Sequence, residues 1–344
     1  MSTDERQPDR QWNMAANQPF NAILIERSGD ANVASLKQLT EADLPDRAVL
    51  VEVRYSSLNY KDGLALSGMG IARRLPMVGG IDLVGRVLDG GDSEFREGEW
   101  VLANGWGLSE LHWGGYSQWQ RLDPQWLIRV PGGLTPFDCM AIGTAGYTAM
   151  LCVMELEDHG LRPGDGEVIV TGAGGGVGSV AVTVLARLGY RVAASTGRED
   201  TRPYLEALGA DKIIDRGELS APGKPFQRER WAGAVDCVGG ATLANLLAQM
   251  RYGASVAACG LAGGSELPAT VLPFILRGVR LLGVDSVMAP REKRQIAWKR
   301  LATELDTERL KRIARLEPMS KLQQLAPRIV AGEIRGLIVI DVNA

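Results

Sequence analysis

Residues 166–198 read GEVIVTGAGGGVGSVAVTVLARLGYRVAASTGR, and the order of their patterns decides the fold. An apolar, β-branched run at 167–171 leads into a glycine-dense turn at 172–178. An apolar pattern at helical spacing follows over 177–188, then a second strand-like run over 190–195. Strand, tight turn, helix and strand in that order predict a βαβ unit. Gly172, Gly175 and Gly178 allow the sharp turn, admit a pyrophosphate against bare backbone, and let the helix pack close to its strand. The helix N-terminus, with unpaired N–H groups and a favourable dipole, then suits the phosphates.

The second strand runs out in Ser195-Thr196-Gly197-Arg198. This is about 20 residues past the turn, where an NAD-binding unit carries an acid for the ribose 2′-hydroxyl. No carboxylate stands there before Glu199. Hydroxyls and a guanidinium suit a 2′-phosphate, which arginine engages by bidentate, charge-assisted bonds, so NADPH is expected over NADH.

A chain of 344 residues exceeds the size at which one core stops growing, so two domains are expected. The net charge of −3 argues against nucleic-acid binding. By apolar run length no stretch reads as a bilayer span, and no membrane association is expected. Residues 1–19 are polar, mixed in charge and lack the apolar core of a secretory signal, so a disordered extension is expected, with Met14 as an alternative start. Cys139, Cys152, Cys237 and Cys259 stand in apolar contexts with no C-x-x-C pair. Reduced thiols in a cytoplasmic protein are expected.

Between residues 20 and 122 short β-like runs alternate with turns, at 20–27, 33–39, 49–55, 83–88, 100–103 and 115–122, which predicts a small antiparallel barrel. Pro131 and Pro136 punctuate its end, and 142–154 reads as a helix leading to the dinucleotide unit. Strands at 212–214, 234–238, 255–259 and 281–284, with a helix at 241–250 between them, then predict a parallel sheet with crossovers. Helical patterns at 290–301 and 320–332 and a strand at 337–342 complete the chain.

Several blocks carry a resemblance: SSLNYKD (56–62), GIDLVG (80–85), HWGGYS (112–117), IGTAGYTAMLCVMELE (142–157), VTGAGGGVGS (170–179), AACGLAGG (257–264) and PFILRGVRLLGVDSV (273–287). They are similar to the medium-chain dehydrogenase/reductase superfamily, and within it to the acrylyl-CoA reductase branch, also described as quinone oxidoreductases. The resemblance implies an α/β protein with a Rossmann parallel-sheet domain and a chaperonin-10-like antiparallel β-barrel. The barrel would take residues 20–143 and 289–344, and the Rossmann domain 144–288. Zinc-dependent members carry Gly-His-Glu where this chain has Gly80-Ile81-Asp82, and a run of four close cysteines that is absent here. His112 and His159 are the only histidines, and neither has a histidine or cysteine nearby in sequence, so no metal is expected.

The reaction so implied is NADPH-dependent reduction of the carbon–carbon double bond of acrylyl-CoA to propionyl-CoA, with hydride delivered to the β-carbon and a proton to the α-carbon. The alternative is an NADPH-dependent quinone or enone reductase of the same fold. A third reading, a catalytically silent NADPH-sensing or RNA-binding relative, is disfavoured by the net charge and the lack of aromatic-interleaved basic patches. The resemblance puts Tyr60 on the loop facing the nicotinamide, as a cofactor contact and candidate catalytic residue. Asn59 and Asp62 are read as turn caps and His112 as a structural residue. The resemblance implies pyrophosphate contacts at Gly174, Gly175, Gly176 and Val177, and 2′-phosphate contacts at Thr196, Gly197 and Arg198 with Arg216 as a second basic group. It implies nicotinamide-side contacts at Leu261, Ile275 and Ser286. At Gly332, where the family often has asparagine, it leaves only a backbone contact. Arg73-Arg74 is a candidate for the coenzyme A arm, and the strand at 280–285 is expected to pair edge to edge in a homodimer.

Overall fold

The structure, a computed structural model, describes residues 18–344. The extension expected at residues 1–19 falls almost wholly outside the described residues. The chain begins with β1 (Phe20–Ser28), β2 (Ala31–Leu39), β3 (Val49–Ser57) and the short helix α1 (Tyr60–Leu66). Then come β4 (Met77–Val78), β5 (Asp82–Asp89), β6 (Trp100–Asn104), β7 (Trp119–Leu122) and β8 (Ile128–Arg129). The long helix α2 (Pro136–Asp158) leads to β9 (Glu167–Val170), α3 (Gly176–Arg187), β10 (Arg191–Thr196), α4 (Arg202–Leu208), β11 (Lys212–Asp215) and α5 (Gly217–Ser220). β12 (Trp231–Asp236), α6 (Gly240–Gln249), β13 (Met250–Ala258), α7 (Leu272–Arg277) and β14 (Arg280–Gly283) follow. The chain ends with α8 (Arg291–Glu304), α9 (Thr307–Ile313), β15 (Ala314–Pro318), α10 (Leu322–Val330) and β16 (Leu337–Asp341).

Two β layers form the barrel part: a three-stranded sheet β2-β1-β4, and a larger sheet β15-β16-β3-β5-β6-β8 with β7 paired to β3. Alternation explains how β1 serves two cores at once. Ile23 and Ile25 point into one cluster, and Phe20, Ala22 and Leu24 into another on the opposite face. The C-terminal strand β16 returns to this part and pairs antiparallel with β3 through Val339↔Ser57, Ile340↔Ser56 and Asp341↔Tyr55.

The other part is built on a third, six-stranded sheet in the order β11-β10-β9-β12-β13-β14, with every neighbour parallel. Counted from β9, this is the doubly wound order of the Rossmann fold, whose ligand crevice opens at the carboxyl ends where the order reverses, between β9 and β12. β12 is buried along its whole length, as expected of a central parallel strand covered on both faces.

Helix α2 joins the two parts and starts six residues before the apolar pattern at 142–154. Pro136 occupies its first turn, and Thr135 and Asp138 form a capping box with the Asp138 N–H donating to Thr135 Oγ1 at 3.1 Å. The expectation that no stretch could span a bilayer needs correction. By length and composition α2 qualifies, but almost all of it is buried between the two parts, against β3, β5 and β16 on one side and α3 and α8 on the other. It is apolar because it is a core helix. α9 and β15 occupy residues 307–318, where the periodicity predicts no element.

Candidate active site

The glycine turn lies at the carboxyl end of β9, beside the reversal point. Gly172 has φ 58°, and the Gly175 N–H closes the turn on the Gly172 carbonyl at 3.0 Å. A side chain at Gly178 would begin 2.4 Å from the Gly172 oxygen and 2.6 Å from Ala173 Cα. Only glycine therefore lets α3 approach the turn this closely. Gly175, as N-cap, has no side chain to cap the first N–H groups of α3, so those donors remain available to an anion.

Two guanidiniums flank the tip of the neighbouring strand β10. The Arg198 N–H donates to Thr196 Oγ1 at 3.2 Å, and the Thr201 hydroxyl donates to the Arg198 carbonyl at 2.6 Å, fixing the backbone there. Arg198 Nη2 lies 3.9 Å from where a Gly174 side chain would begin. Arg216 lies against the bare backbone of Gly197, its Nε 2.6 Å from where a Cβ would stand. Neither guanidinium is paired with a carboxylate among the described residues, and Glu199, the first acid after β10, instead meets Arg202 at 3.2 Å. The phosphate-side candidates Gly174, Gly175, Gly176, Val177, Thr196, Gly197, Arg198 and Arg216 thus surround one crevice.

The sequence reading missed the loop that covers this turn. The Gly336 N–H donates to the Gly174 carbonyl at 3.4 Å, and a side chain at Gly176 would begin 3.2 Å from Leu337 Cδ2. Arg335, exposed, stands over the Tyr204 ring at 5.2 Å, and the Tyr204 hydroxyl donates to Ser179 Oγ at 2.8 Å in the first turn of α3. The only signal was a basic residue before glycine and a final strand, about 160 residues from the fingerprint in the sequence. Gly332 is not part of this contact. Its φ of 70° ends α10, which requires glycine there for a conformational reason.

Of the residues expected on the nicotinamide side, Leu261 follows β13 and is 63% exposed. Ser286 lies at the seam with the barrel, its carbonyl accepting from Arg294 Nη2 at 3.1 Å. Ile275 lies on α7, the helix packed against β13, and is 69% exposed.

The barrel side presents Tyr60 at the start of α1, 43% exposed. Behind it lies a buried carboxyl pair that the sequence did not reveal. Asp62 Oδ2 accepts the Asn59 N–H at 2.9 Å, the capping read from the sequence, while Asp62 Oδ1 accepts the Ile81 N–H at 2.9 Å. Asp82 accepts the Ser57 N–H at 2.9 Å, the Ser57 hydroxyl at 2.7 Å and the Thr144 N–H at 2.8 Å. α2 can reach Asp82 because Gly143 kinks the helix with φ 51°. The Asn59 side-chain amide bridges the pair, 3.3 Å from Asp62 and 3.4 Å from Asp82.

Burial, with the Asp82 charge second, pushes Asp62 up to about 8, and burial also raises Asp82. Because the folded protein holds the Asp62 proton more tightly than the unfolded chain, its contribution to stability is complete at acid pH and is lost as pH rises through about 8. Asp62→Asn removes that charge. Its melting temperature relative to the unsubstituted protein is therefore expected to climb from about pH 5 to about pH 8, and a constant difference in pH-scanned calorimetry would contradict this. His112 packs against Trp126 with ring centroids 4.7 Å apart and the rings tilted by 35°, and takes no part in this network.

Comparison with known proteins agrees with this architecture. Residues 45–132 match the family described as alcohol dehydrogenase GroES-like domain, and residues 176–303 that described as zinc-binding dehydrogenase. A barrel and a Rossmann domain meeting at a glycine turn define a two-domain oxidoreductase, and the chain belongs to the medium-chain dehydrogenase/reductase superfamily, in its acrylyl-CoA reductase branch. It is 51% identical to the acrylyl-CoA reductase AcuI of Ruegeria pomeroyi, over 94% of this chain and 100% of that one. The solved yhdH oxidoreductase from Salmonella enterica in complex with NADP has a TM-score of 0.92 at 49% identity, over 93% of this chain and 99% of that one. Bacillus subtilis protein yhfP with NAD bound gives 0.91 at 41%, over 94% and 99%.

The zinc in one family description does not fit the residues present. Ile81 cannot ligate, and Asp82 is saturated by N–H and O–H donors. Among the described residues no three of histidine, cysteine, aspartate and glutamate gather as a metal site.

Proposed function

We propose that this protein reduces the carbon–carbon double bond of acrylyl-CoA to propionyl-CoA with NADPH. The observation that carries the coenzyme choice is the pair of guanidiniums, Arg198 and Arg216, left without carboxylate partners at the tip of β10. The substrate choice rests on the similarity to the Ruegeria acrylyl-CoA reductase. Bound NADPH supplies the hydride taken up by the β-carbon. The chain's share is to hold and align. The open N–H groups of α3 and the Gly174–Gly176 backbone receive the pyrophosphate, with Arg335 alongside. Thr196, Gly197, Arg198 and Arg216 receive the 2′-phosphate, while Leu261 and Ser286 border the nicotinamide half. Val177, in the first turn of α3, packs beside the pyrophosphate.

Tyr60 is proposed to contact the nicotinamide ribose, a reading supported by its exposure at the start of α1 and by Asn59 and the Asp62–Asp82 pair, which fix that loop. In that role Tyr60→Phe leaves NADPH binding within about twofold and lowers kcat by about tenfold or less, because water can replace the phenol as proton source. A fall of more than about a thousandfold with binding retained would instead make Tyr60 the acid. Single-turnover kinetics separates the two.

The quinone or enone alternative has one observation in its favour. Arg73, the candidate for the coenzyme A arm, is already paired with Glu110 at 2.9 Å, and Glu110 also holds Lys61. Comparing kcat/KM for acrylyl-CoA and for a simple enone of equal reactivity decides between them. Binding energy from the remote arm raises the thioester's value, and equal values would favour the enone reading.

The protein is proposed to act as a cytoplasmic homodimer. β14 lies at the edge of its sheet and carries exposed Leu281, and Val271, Ile275 and Leu276 are exposed on the preceding helix α7 and its N-cap. Light scattering should give twice the 37.0 kDa of one chain, and a monomer mass would refute the dimer. The four free thiols suit a reducing compartment.

A further inference from the structure

Cys237 and Cys259 stand one residue past the ends of β12 and β13. The parallel register of these strands, carried one step beyond Asp236↔Ala258, sets the two cysteines side by side, and the Cys259 N–H still donates to the Asp236 carbonyl at 2.9 Å. Neighbouring strands lie about 4.8 Å apart, inside the roughly 4.4–6.8 Å that a disulfide spans between α-carbons. Their sulfurs are 3.9 Å apart, and both residues are partly exposed at the carboxyl ends of the sheet. The pair lies beneath the crevice. A side chain at Gly172 would begin 3.4 Å from Cys237 Cβ, the Cys237 N–H donates to Thr171 Oγ1 at 3.1 Å, and Leu261 follows Cys259 by two residues.

We propose that Cys237 and Cys259 are a redox modification site: a peroxide joins them in a reversible disulfide that weakens cofactor binding. The second half of this claim rests on the NADPH reading above. Hydrogen bonds from the Cys152 and Cys237 thiols hold the Cys259 thiol well below its ordinary range, which makes Cys259 the first to react. The Cys259 thiolate attacks the peroxide, the O–O bond breaks, and a sulfenic acid and hydroxide are formed; the hydroxide takes up the proton that the thiol released and leaves as water. The Cys237 sulfur then attacks the Cys259 sulfur, the S–S bond forms, the S–O bond breaks, and a second water leaves. Two thiols lose two electrons to one peroxide, and a dithiol reductant restores them. Closing the sulfurs from 3.9 Å to about 2.05 Å draws the loop after β12, which packs against Gly172, toward the loop that carries Leu261, and so reshapes the floor on which the cofactor would lie.

The test treats the full-length protein with hydrogen peroxide, counts thiols with a chromogenic disulfide, maps cross-linked peptides by mass spectrometry, and titrates NADPH before and after. The expected result is loss of two of the four thiols, a Cys237–Cys259 peptide, and at least tenfold weaker NADPH binding reversed by dithiothreitol. In Cys237→Ser the cross-link and its reversible effect disappear while Cys259 is oxidised alone. Four thiols retained, a cross-link mapped elsewhere, or the correct cross-link with unchanged NADPH affinity each overturns the proposal. Failure of the reduced protein to bind NADPH would refute the cofactor reading instead, and the thiol count would still judge the disulfide.

Discussion

Arg198→Ala is expected to raise the Kd for NADPH by about 10- to 100-fold while that for NADH stays within about twofold, because only the phosphorylated ribose meets the guanidinium. A hydrogen bond to a charged group contributes about 1.5–3 kcal/mol, and each ~1.4 kcal/mol is a factor of ten in affinity. The lower end is favoured because the crevice is partly open to water, which screens the charge. Arg216, stacked on the Gly197 backbone, should retain part of the discrimination, so the double variant with Arg216→Ala loses more than Arg198→Ala alone. Arg198→Lys should restore little, since a point charge does not reproduce the bidentate fork. Calorimetric titration of both coenzymes checks this. Equal losses for NADPH and NADH would move Arg198 away from the 2′-phosphate.

The second large effect is expected at Gly178. In Gly178→Val the first side-chain carbon would enter at 2.4 Å from the Gly172 oxygen and 2.6 Å from Ala173 Cα. Both are backbone atoms and cannot swing aside, so either α3 withdraws from β9 or the turn opens. Overpacking of this kind costs about 1–3 kcal/mol or more, and here it also dismantles the phosphate cradle. The expected outcome is loss of NADPH binding by over about 100-fold together with a lower melting temperature. Gly132→Ala is the control: no atom lies within 4 Å of the new methyl group, and stability should change by no more than about 0.5 kcal/mol. Normal NADPH affinity in Gly178→Val would show that the turn does not carry the cofactor.

These two sites also show how far the sequence could be read. The glycine turn, its strand and its helix are adjacent in the chain, so spacing alone displays them, and the missing acid at the tip of β10 is just as local. Arg216 is assigned through the resemblance alone, and the pairing of β11 with β10 is what sets it beside Gly197. Arg335 and Gly336 could not be assigned. They reach the turn only because β16 re-enters the barrel sheet beside β3, a pairing across nearly the whole chain. The Asp62–Asp82 pair was half legible. Asp62 reads as a cap from Asn59 three residues earlier, but its contact with Ile81 and Asp82's with Thr144 depend on how β5 and the kinked α2 pack. α2 itself shows that apolar length does not by itself mark a membrane span, since a helix shared by two cores is as apolar as one that crosses a bilayer.

The central claim is that a phosphate-reading Rossmann crevice delivers NADPH to an acrylyl thioester. Its most direct test is kcat/KM for acrylyl-CoA measured with NADPH and with NADH on the same preparation. A preference for NADPH of about 100-fold or more, collapsing in the Arg198→Ala, Arg216→Ala double variant, is the predicted result. Equal values for the two coenzymes, or no turnover of the thioester with either, would contradict it.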